Sequence, residues 1–394
     1  MNFNFLHLHY RGCQVLIKAF SSFFTSSAFA GLSYGNIFMI LIGCVLIYVA
    51  VSKNAQPLLL IPIGFGILFA NIPPLYTGLF AIPTASAPGG IMYYISLGLE
   101  TGLFPPLIFL GIGAMTDFSF MLSNPITIFL GGAAQVGIYM AFLFARILGF
   151  DMLPSAAIAI IGGADGPTSI YIANMFAPEL LAIIAIVAYS YIALIPIIQP
   201  PIMRLFTTKK ERLIKMKSPK KVTKTEKLVF SVVTTIFIGL LVPQALPLVG
   251  MLMLGNFLKE NGLTNRLAEA ASKYISDPAI VLLCLAVGAK AKADVFLSGT
   301  SIMILALGAV AFIFSTISGI LFAKLMNLFL KEKINPLIGG AGVSAVPAAA
   351  RVAQSVAQKE DPNNFILMHA MGPNVAGVIG SAVAAGVFLS ILGG

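Results

Sequence analysis

Long apolar stretches, separated by short polar or Pro/Gly-rich intervals, fill most of the chain and predict helices, because they exceed the usual length of a strand. Asn36 to Val51 predicts a span, Lys53 and Asn54 a short loop, and Pro57 to Asn71 a second apolar helix. The stretch IPPLYTGLFAIPTASAPGG reads as a loop. Beyond it, Pro105 to Met115 is a short apolar element and Pro125 to Leu148 a full span. Residues 154–176 form a membrane-length run broken in its middle by Gly162, Gly163, Gly166 and Pro167, and Pro178 to Met203 spans again. A basic interval follows. Six further apolar elements then run from Leu228 to Leu241, Pro247 to Leu258, Pro278 to Ala289, Ser301 to Leu330, Asn335 to Val356 and Asn364 to Leu392.

The order of the second set repeats that of the first, and three landmarks set the register. PIGFGILFAN and PLVGMLMLGN each place an asparagine, Asn71 and Asn256, nine residues after a proline. GIGAMTDF around Gly113 returns as AVGAKAKADV around Gly288, and IGGADG at Gly162 as IGGAGV at Gly339. From Pro62 to Pro247 the offset is 185 residues; at the later landmarks it is 175 and 177, so the first half carries about ten extra residues in its 72–90 loop. The domains expected are a first repeat at 36–206, a linker at 207–226 and a second repeat at 227–394. Residues 1–35 are expected to lie on the membrane as an amphipathic segment, in preference to a cleaved signal peptide.

Composition makes this an all-α polytopic membrane protein: 58% of residues are hydrophobic and 10% charged, and the mean hydropathy is +0.97. Net charge is +10, yet ten Lys or Arg between Arg204 and Lys227, set against Glu211 and Glu226, account for +8 of it. A basic loop of that kind is expected in the cytoplasm, which makes nucleic acid a poor explanation of the high pI. Charge also implies that the halves are inverted. Lys331 and Lys333 occupy a loop whose first-half counterpart holds Asp151 and no base, and no Lys or Arg follows Lys359. The three cysteines, Cys13, Cys44 and Cys284, are scattered in apolar sequence as free thiols, and His7, His9 and His369 offer no zinc spacing.

Candidate chemistry centres on Asp165. A carboxylate inside an apolar span must face protein, water or an ion, and unwound backbone at such depth survives where it lines a cavity or a site. The second-half partner, NPLIGGAGVSAVPAAARVAQ, supplies Asn335, Gly339, Ser344 and Arg351. If helix resumes after Ser344, Arg351 shares its face about 10 Å away, where it could neutralise Asp165 or hold an anionic substrate group. In the last element Gly372, Pro373 and Asn374 predict an early break, with Asn374 offering a carbonyl oxygen, while Gly377, Gly380 and Ser381 form a small-residue packing stripe. One acid among neutral oxygens suits a monovalent hard cation, so sodium competing with a proton for Asp165 is the expected occupant. Tyr189 and Tyr191 lie inside another span, where Tyr191 could relay a proton. No phosphate loop, nucleophile elbow, zincin or paired CxxC motif is present, and KMK at Lys215 is not a biotin-acceptor motif.

The runs GGADGPTSIY, NPLIGGAGVSAVPAAARV, LMHAMGPNVAGVIGSA and PLVGMLMLGN resemble the beta subunit of the biotin-dependent, sodium-translocating decarboxylases that act on oxaloacetate, methylmalonyl-CoA or glutaconyl-CoA. The resemblance covers about residue 36 to the end. It implies a membrane subunit that decarboxylates carboxybiotin while carrying sodium outward and consuming an external proton. Its partners would be a carboxyltransferase alpha subunit, a biotin carrier and a small gamma or delta membrane subunit in a bacterial inner membrane. By motif, Asp165 and Asn374 would ligate sodium, and Asn335, Gly339 and Ser344 would serve sodium binding or coupling. Tyr191 and Arg351 would serve proton delivery and carboxybiotin. The implied fold is two inverted repeats moving as an elevator within a homotrimer. A secondary sodium/proton antiporter is the competing reading; the Arg351 motif favours the pump.

Overall fold

The computed structural model describes residues 20–393 apart from 24, 74–76, 218 and 297. His7, His9, Arg11, Cys13 and Lys18, with most of the expected amphipathic segment, lie outside the described residues. Within them every regular element is helical, save one isolated bridge between Thr84 and Ala87 in the 72–90 loop. Six helices are long and apolar enough to cross a membrane, or seven if the pair Ile91–Glu100 and Phe104–Met115, bent by 71°, is one span.

In chain order the main helices are α1 (Tyr34–Ser52), α2 (Pro57–Asn71), α3 (Ile91–Glu100), α4 (Phe104–Met115), α5 (Thr127–Ala134), α6 (Val136–Ile147), α7 (Met152–Ala159), α8 (Gly166–Phe176), α9 (Leu181–Leu205), α10 (Lys224–Leu241), α11 (Leu246–Glu260), α12 (Asp277–Ala289), α13 (Gly299–Phe329), α14 (Ala348–Gln358) and α15 (Leu367–Leu392). α1 starts at a capping box in which Ser33 and Asn36 satisfy each other's amides, and α10 starts at another formed by Thr223 and Glu226. The sequence assigned no element to 91–104. There α3 follows Gly90, which must be glycine because a Cβ would lie 2.1 Å from the Leu79 carbonyl. The element expected over Pro278–Ala289 reaches back to Asn265 through a π-helical turn at Ala270–Ser276.

By their closest packing the helices fall into two bodies, joined along their boundary by shared apolar core. α2 packs on α12 and α4 on α11, each a first-half helix against a second-half one, with α1 and α10 on the flanks. The asparagines of the repeat lock these pairs in one register. Asn71 Nδ2 donates to Ala291 O at 3.1 Å, and Asn256 Nδ2 to Thr116 O at 3.2 Å, each acceptor standing three residues after the Gly113 or Gly288 landmark. The second body contains α5 to α9 and α13 to α15.

Both broken segments lie in this second body. The side-chain amides of Asn335 and Asn364 donate to the same two linker carbonyls, Arg212 O and Ile214 O, at 3.0–3.3 Å. The segment between them therefore returns to the end at which it entered. It is a hairpin, whereas the sequence reading offered only a broken apolar element and no direction of return. Its return arm α14 has 11 residues, about 16 Å and roughly half the apolar thickness of a bilayer. The linker is further tied to this hairpin by ion pairs of Arg212 with Glu360 and Lys215 with Asp361, both at 2.9 Å. The hydrogen bond from Lys215 holds the Asp361 carboxyl below its ordinary range. In the first broken segment, the arms α7 and α8 likewise pack against each other.

Candidate ion site at the tips of two hairpins

The first tip is unwound because Ile160–Gly163 tightens to a 3-10 turn and Ala164 takes a left-handed φ of 53°. Glycine is required at 166, where a Cβ would lie 1.9 Å from the buried Tyr189 ring. Asp165 then caps α8: its Oδ1 accepts the Thr168 N–H at 3.3 Å and its Oδ2 the Thr168 hydroxyl at 2.8 Å. A second hydroxyl, from Ser381 on α15, donates to Oδ2 at 2.7 Å. Asp165 is 6% exposed, and no Lys, Arg or His pairs with it among the described residues. A buried carboxylate held by neutral donors and a helix N-terminus keeps its charge available to a cation.

The second tip meets the first directly. Ser344 N–H donates to Gly163 O at 2.9 Å and its hydroxyl to Gly377 O at 2.8 Å, while Ser315 on α13 donates to Gly162 O at 2.7 Å. Asn374 Nδ2 donates to Val343 O at 2.6 Å, leaving its Oδ1 buried with no hydrogen-bond partner. Gly339 and Gly319 face each other so closely that a Cβ on either would lie 2.1 Å from the other's carbonyl. Asp165 and Ser344 share a cavity of about 410 Å³ with Thr116, Asp117 and Pro347. Asp117, partly exposed, stands 3.6 Å from Lys227 in the first turn of α10, which follows the basic linker, so this end of the cavity lies on the linker side. Burial pushes the Asp117 carboxyl up, but Ser119, Lys227 and Lys259 outweigh it and hold the group below its ordinary range. An ionised carboxylate thus lines the approach to the site.

Asp165 and Ser344 therefore share one cavity, with the hydroxyls of Ser381 and Thr168 on the acid and Asn374 joined to the second tip through Val343 O. The stripe reading holds for Gly377, where a Cβ would lie 2.2 Å from Gly342 O, but Ser381 serves the acid as well. The signal for it was one hydroxyl between tight glycines. Three other residues lie elsewhere. Asn335 holds the linker, its Oδ1 accepting the Leu337 N–H at 3.1 Å. Tyr191 donates its hydroxyl to Leu305 O on α13 at 2.5 Å. Arg351 is exposed and does not neutralise Asp165, because helix resumes only at Ala348, leaving Ser344 outside it and voiding the shared face. It lines a separate cleft of about 300 Å³ with Gln354, Gln358 and Lys359. α15 is also corrected: it continues through Pro373 as one helix, so Asn374 projects from regular helix and not from a break.

The donor set at the tips is all oxygen: carboxylate, hydroxyls, an amide carbonyl and backbone carbonyls. Among the described residues no group of three or more His, Cys, Asp or Glu could hold a metal, and the two described cysteines, Cys44 and Cys284, are free. Such a set suits a hard monovalent cation.

By fold and centre the chain is a multi-pass helical membrane protein built around a buried, base-free carboxylate at the meeting point of two hairpins. Residues 35–392 match the family described as Na+-transporting oxaloacetate decarboxylase beta subunit, and the chain belongs to that family. It is 52% identical over 381 residues to the glutaconyl-CoA decarboxylase subunit beta of Acidaminococcus fermentans, covering 97% of this chain and 100% of the relative. The methylmalonyl-CoA decarboxylase subunit beta of Veillonella parvula is 52% identical over 379 residues, with coverage of 96% and 99%. The oxaloacetate decarboxylase beta chain of Klebsiella pneumoniae is 44% identical over 412 residues, with coverage of 91% and 95%. Their names mark each as one component of a multisubunit decarboxylase.

Proposed function

We propose that this chain is the membrane subunit of a sodium pump in the bacterial inner membrane that decarboxylates carboxybiotin, carries sodium outward through the Asp165 site and consumes an external proton. The observation that carries the reading is one carboxylate, without a basic partner, at the junction of two hairpins and open to a cavity on the linker side. With the linker cytoplasmic, sodium reaches Asp165 from inside. Ser344 and Asn374 complete its oxygen shell, with Gly339 setting the approach of the second tip. Binding neutralises the acid, so the loaded centre can cross at lower cost. A proton from outside then displaces the ion, with Tyr191 on the delivery path. Carboxybiotin, brought by a carrier subunit, supplies an exergonic decarboxylation. Such a step is needed, since each charge moved against 100 mV costs about 2.3 kcal/mol. Arg351, in its cleft with Lys359, is the residue to hold the carboxylated ring. A carboxyltransferase alpha subunit and a gamma or delta subunit complete the assembly around a homotrimer of this chain.

The elevator is supported by the two-body packing, and the inverted repeat by the reciprocal Asn71 and Asn256 ties. Helix lengths support opposite entry of the hairpins. α9, 25 residues and about 37 Å long, ends at the linker, so its start and the end of the first hairpin lie on the far side. In a background lacking Cys13, Cys44 and Cys284, Lys333→Cys is expected to react with an impermeant maleimide only in inside-out vesicles. Asp151→Cys is expected to react only in right-side-out ones. Labelling of both from one side would refute inversion.

The function itself is tested with the assembled complex in proteoliposomes. Carbon dioxide release from carboxybiotin should stall without sodium, and sodium uptake should stop when carboxybiotin is withheld. Sodium uptake driven by a pH gradient alone would favour the antiporter instead.

A further inference from the structure

The helix over 127–147 divides at Gln135, whose own N–H bonds to Gly132 O at 3.0 Å in place of Gly131 O. The carbonyl left over is taken by the side chain: Gln135 Nε2 donates to Gly131 O at 3.0 Å and lies 3.5 Å from Gly377 O. Two carbonyls on one side require the donor end there, so the orientation of the amide follows from its partners and Oε1 must point the other way.

That oxygen is buried and has no partner. It lies 3.6 Å from where a Cβ on Gly163 would stand, a point only 3.1 Å from Ser381 Cβ. Gln135 is admitted here because residue 380 is also glycine, where a Cβ would stand 3.0 Å from Gln135 Cγ. Leaving an amide oxygen buried and unpaired is costly, so the gap calls for a donor or a cation. Three hydroxyls at the tips are already committed: Ser381 and Thr168 donate to Asp165, and Ser344 to Gly377 O.

We propose that Gln135 Oε1 is a ligand of the cation held at Asp165, adding a neutral oxygen from α5–α6 to those of the two hairpins and α15. The assignment rests on the sodium reading above. Four elements of the second body would then close on one ion, and the glycines at 163 and 380 would be the openings through which the amide reaches it.

Two substitutions separate a ligand from a helix-capping donor. Gln135→Met removes both ends of the amide, whereas Gln135→Glu keeps an oxygen and loses the donor to Gly131 and Gly377. In the assembled complex, half-saturating sodium for carbon dioxide release and for ²²Na⁺ binding should rise about tenfold or more in Gln135→Met. In Gln135→Glu it should stay at or below the parental value. Equal losses in the two variants, or no change in Gln135→Met, would overturn the assignment and leave Gln135 a structural donor with water on its oxygen. If Gln135→Met does not assemble, Gln135→Glu decides alone, a tenfold loss of sodium affinity overturning the assignment and retention supporting it. Asp165→Asn run alongside keeps the two readings apart. If it too leaves sodium binding unchanged, the sodium site itself is wrong; if it alone abolishes binding, only the role of Gln135 fails.

Discussion

Asp165→Asn is expected to reduce sodium affinity by about three orders of magnitude while leaving the folded protein nearly as stable as before. Two properties of the position make the outcome sharp. Asparagine caps helices as well as aspartate does, so the first turn of α8 keeps its acceptor for the Thr168 N–H. The hydroxyls of Ser381 and Thr168 can rotate to accept from the new NH₂ group, so the hydrogen bonds survive with their polarity reversed. The charge is what disappears. At an effective dielectric of about 20, a unit charge 4 Å from a cation contributes about 4 kcal/mol, which is about a thousandfold in affinity. Asp117, half-exposed and committed to Lys227, is too well screened to replace it. Equilibrium ²²Na⁺ binding and sodium-dependent carbon dioxide release measure the loss, and the melting temperature without sodium checks the fold. Near-parental sodium affinity would mean that Asp165 is only a helix cap.

The acid was legible in the sequence because burial and a broken helix coincide there, and both are local facts. Asn71 and Asn256 share a nine-residue spacing from a proline in the sequence, and each side-chain amide donates to a distant backbone carbonyl, Ala291 O and Thr116 O. What the sequence could not show is direction. A mostly apolar run of 23 residues with a broken middle has the length of a span whether it passes through or turns back. The choice is made by tertiary contacts such as those of Asn335 and Asn364 with a linker more than 100 residues away. The same limit explains Arg351. Its spacing from Ser344 implied a shared face only if the intervening residues were helical, and Val346 and Pro347 are not. Pro373 misled in the opposite sense, since one missing amide in a 26-residue helix packed along most of its length does not break it. Ser381 looked like one more small residue in a packing stripe; its role needs the position of a carboxylate 216 residues earlier.

Alanine at either Gly319 or Gly339 is expected to loosen the second hairpin, and the pair together should do less harm than the sum of the two. Each glycine occupies the space that the other's Cβ would need, at 2.1 Å from the opposing carbonyl, well inside an ordinary contact. Relief requires α13 and the hairpin to separate by more than 1 Å (3.4 Å less the 2.1 Å found). Overpacking of this kind costs about 1–3 kcal/mol. Once the first methyl has forced the helices apart, the second enters space already opened, so a coupling of about 0.5–3 kcal/mol of opposite sign is expected. The displacement also reaches the ion site. Ser344, five residues beyond Gly339, is fixed to Gly163 and Gly377 by hydrogen bonds that tolerate little movement. Half-saturating sodium should therefore rise about tenfold in each single variant, a shift that a loss of about 1.4 kcal/mol would produce. Gly132→Ala is the control, since nothing lies within 4 Å of a Cβ there. Melting temperatures and sodium titrations of the two single variants, the double variant and this control measure both effects. Strict additivity, with sodium affinity unchanged, would mean that the contact between α13 and the hairpin does not position Ser344.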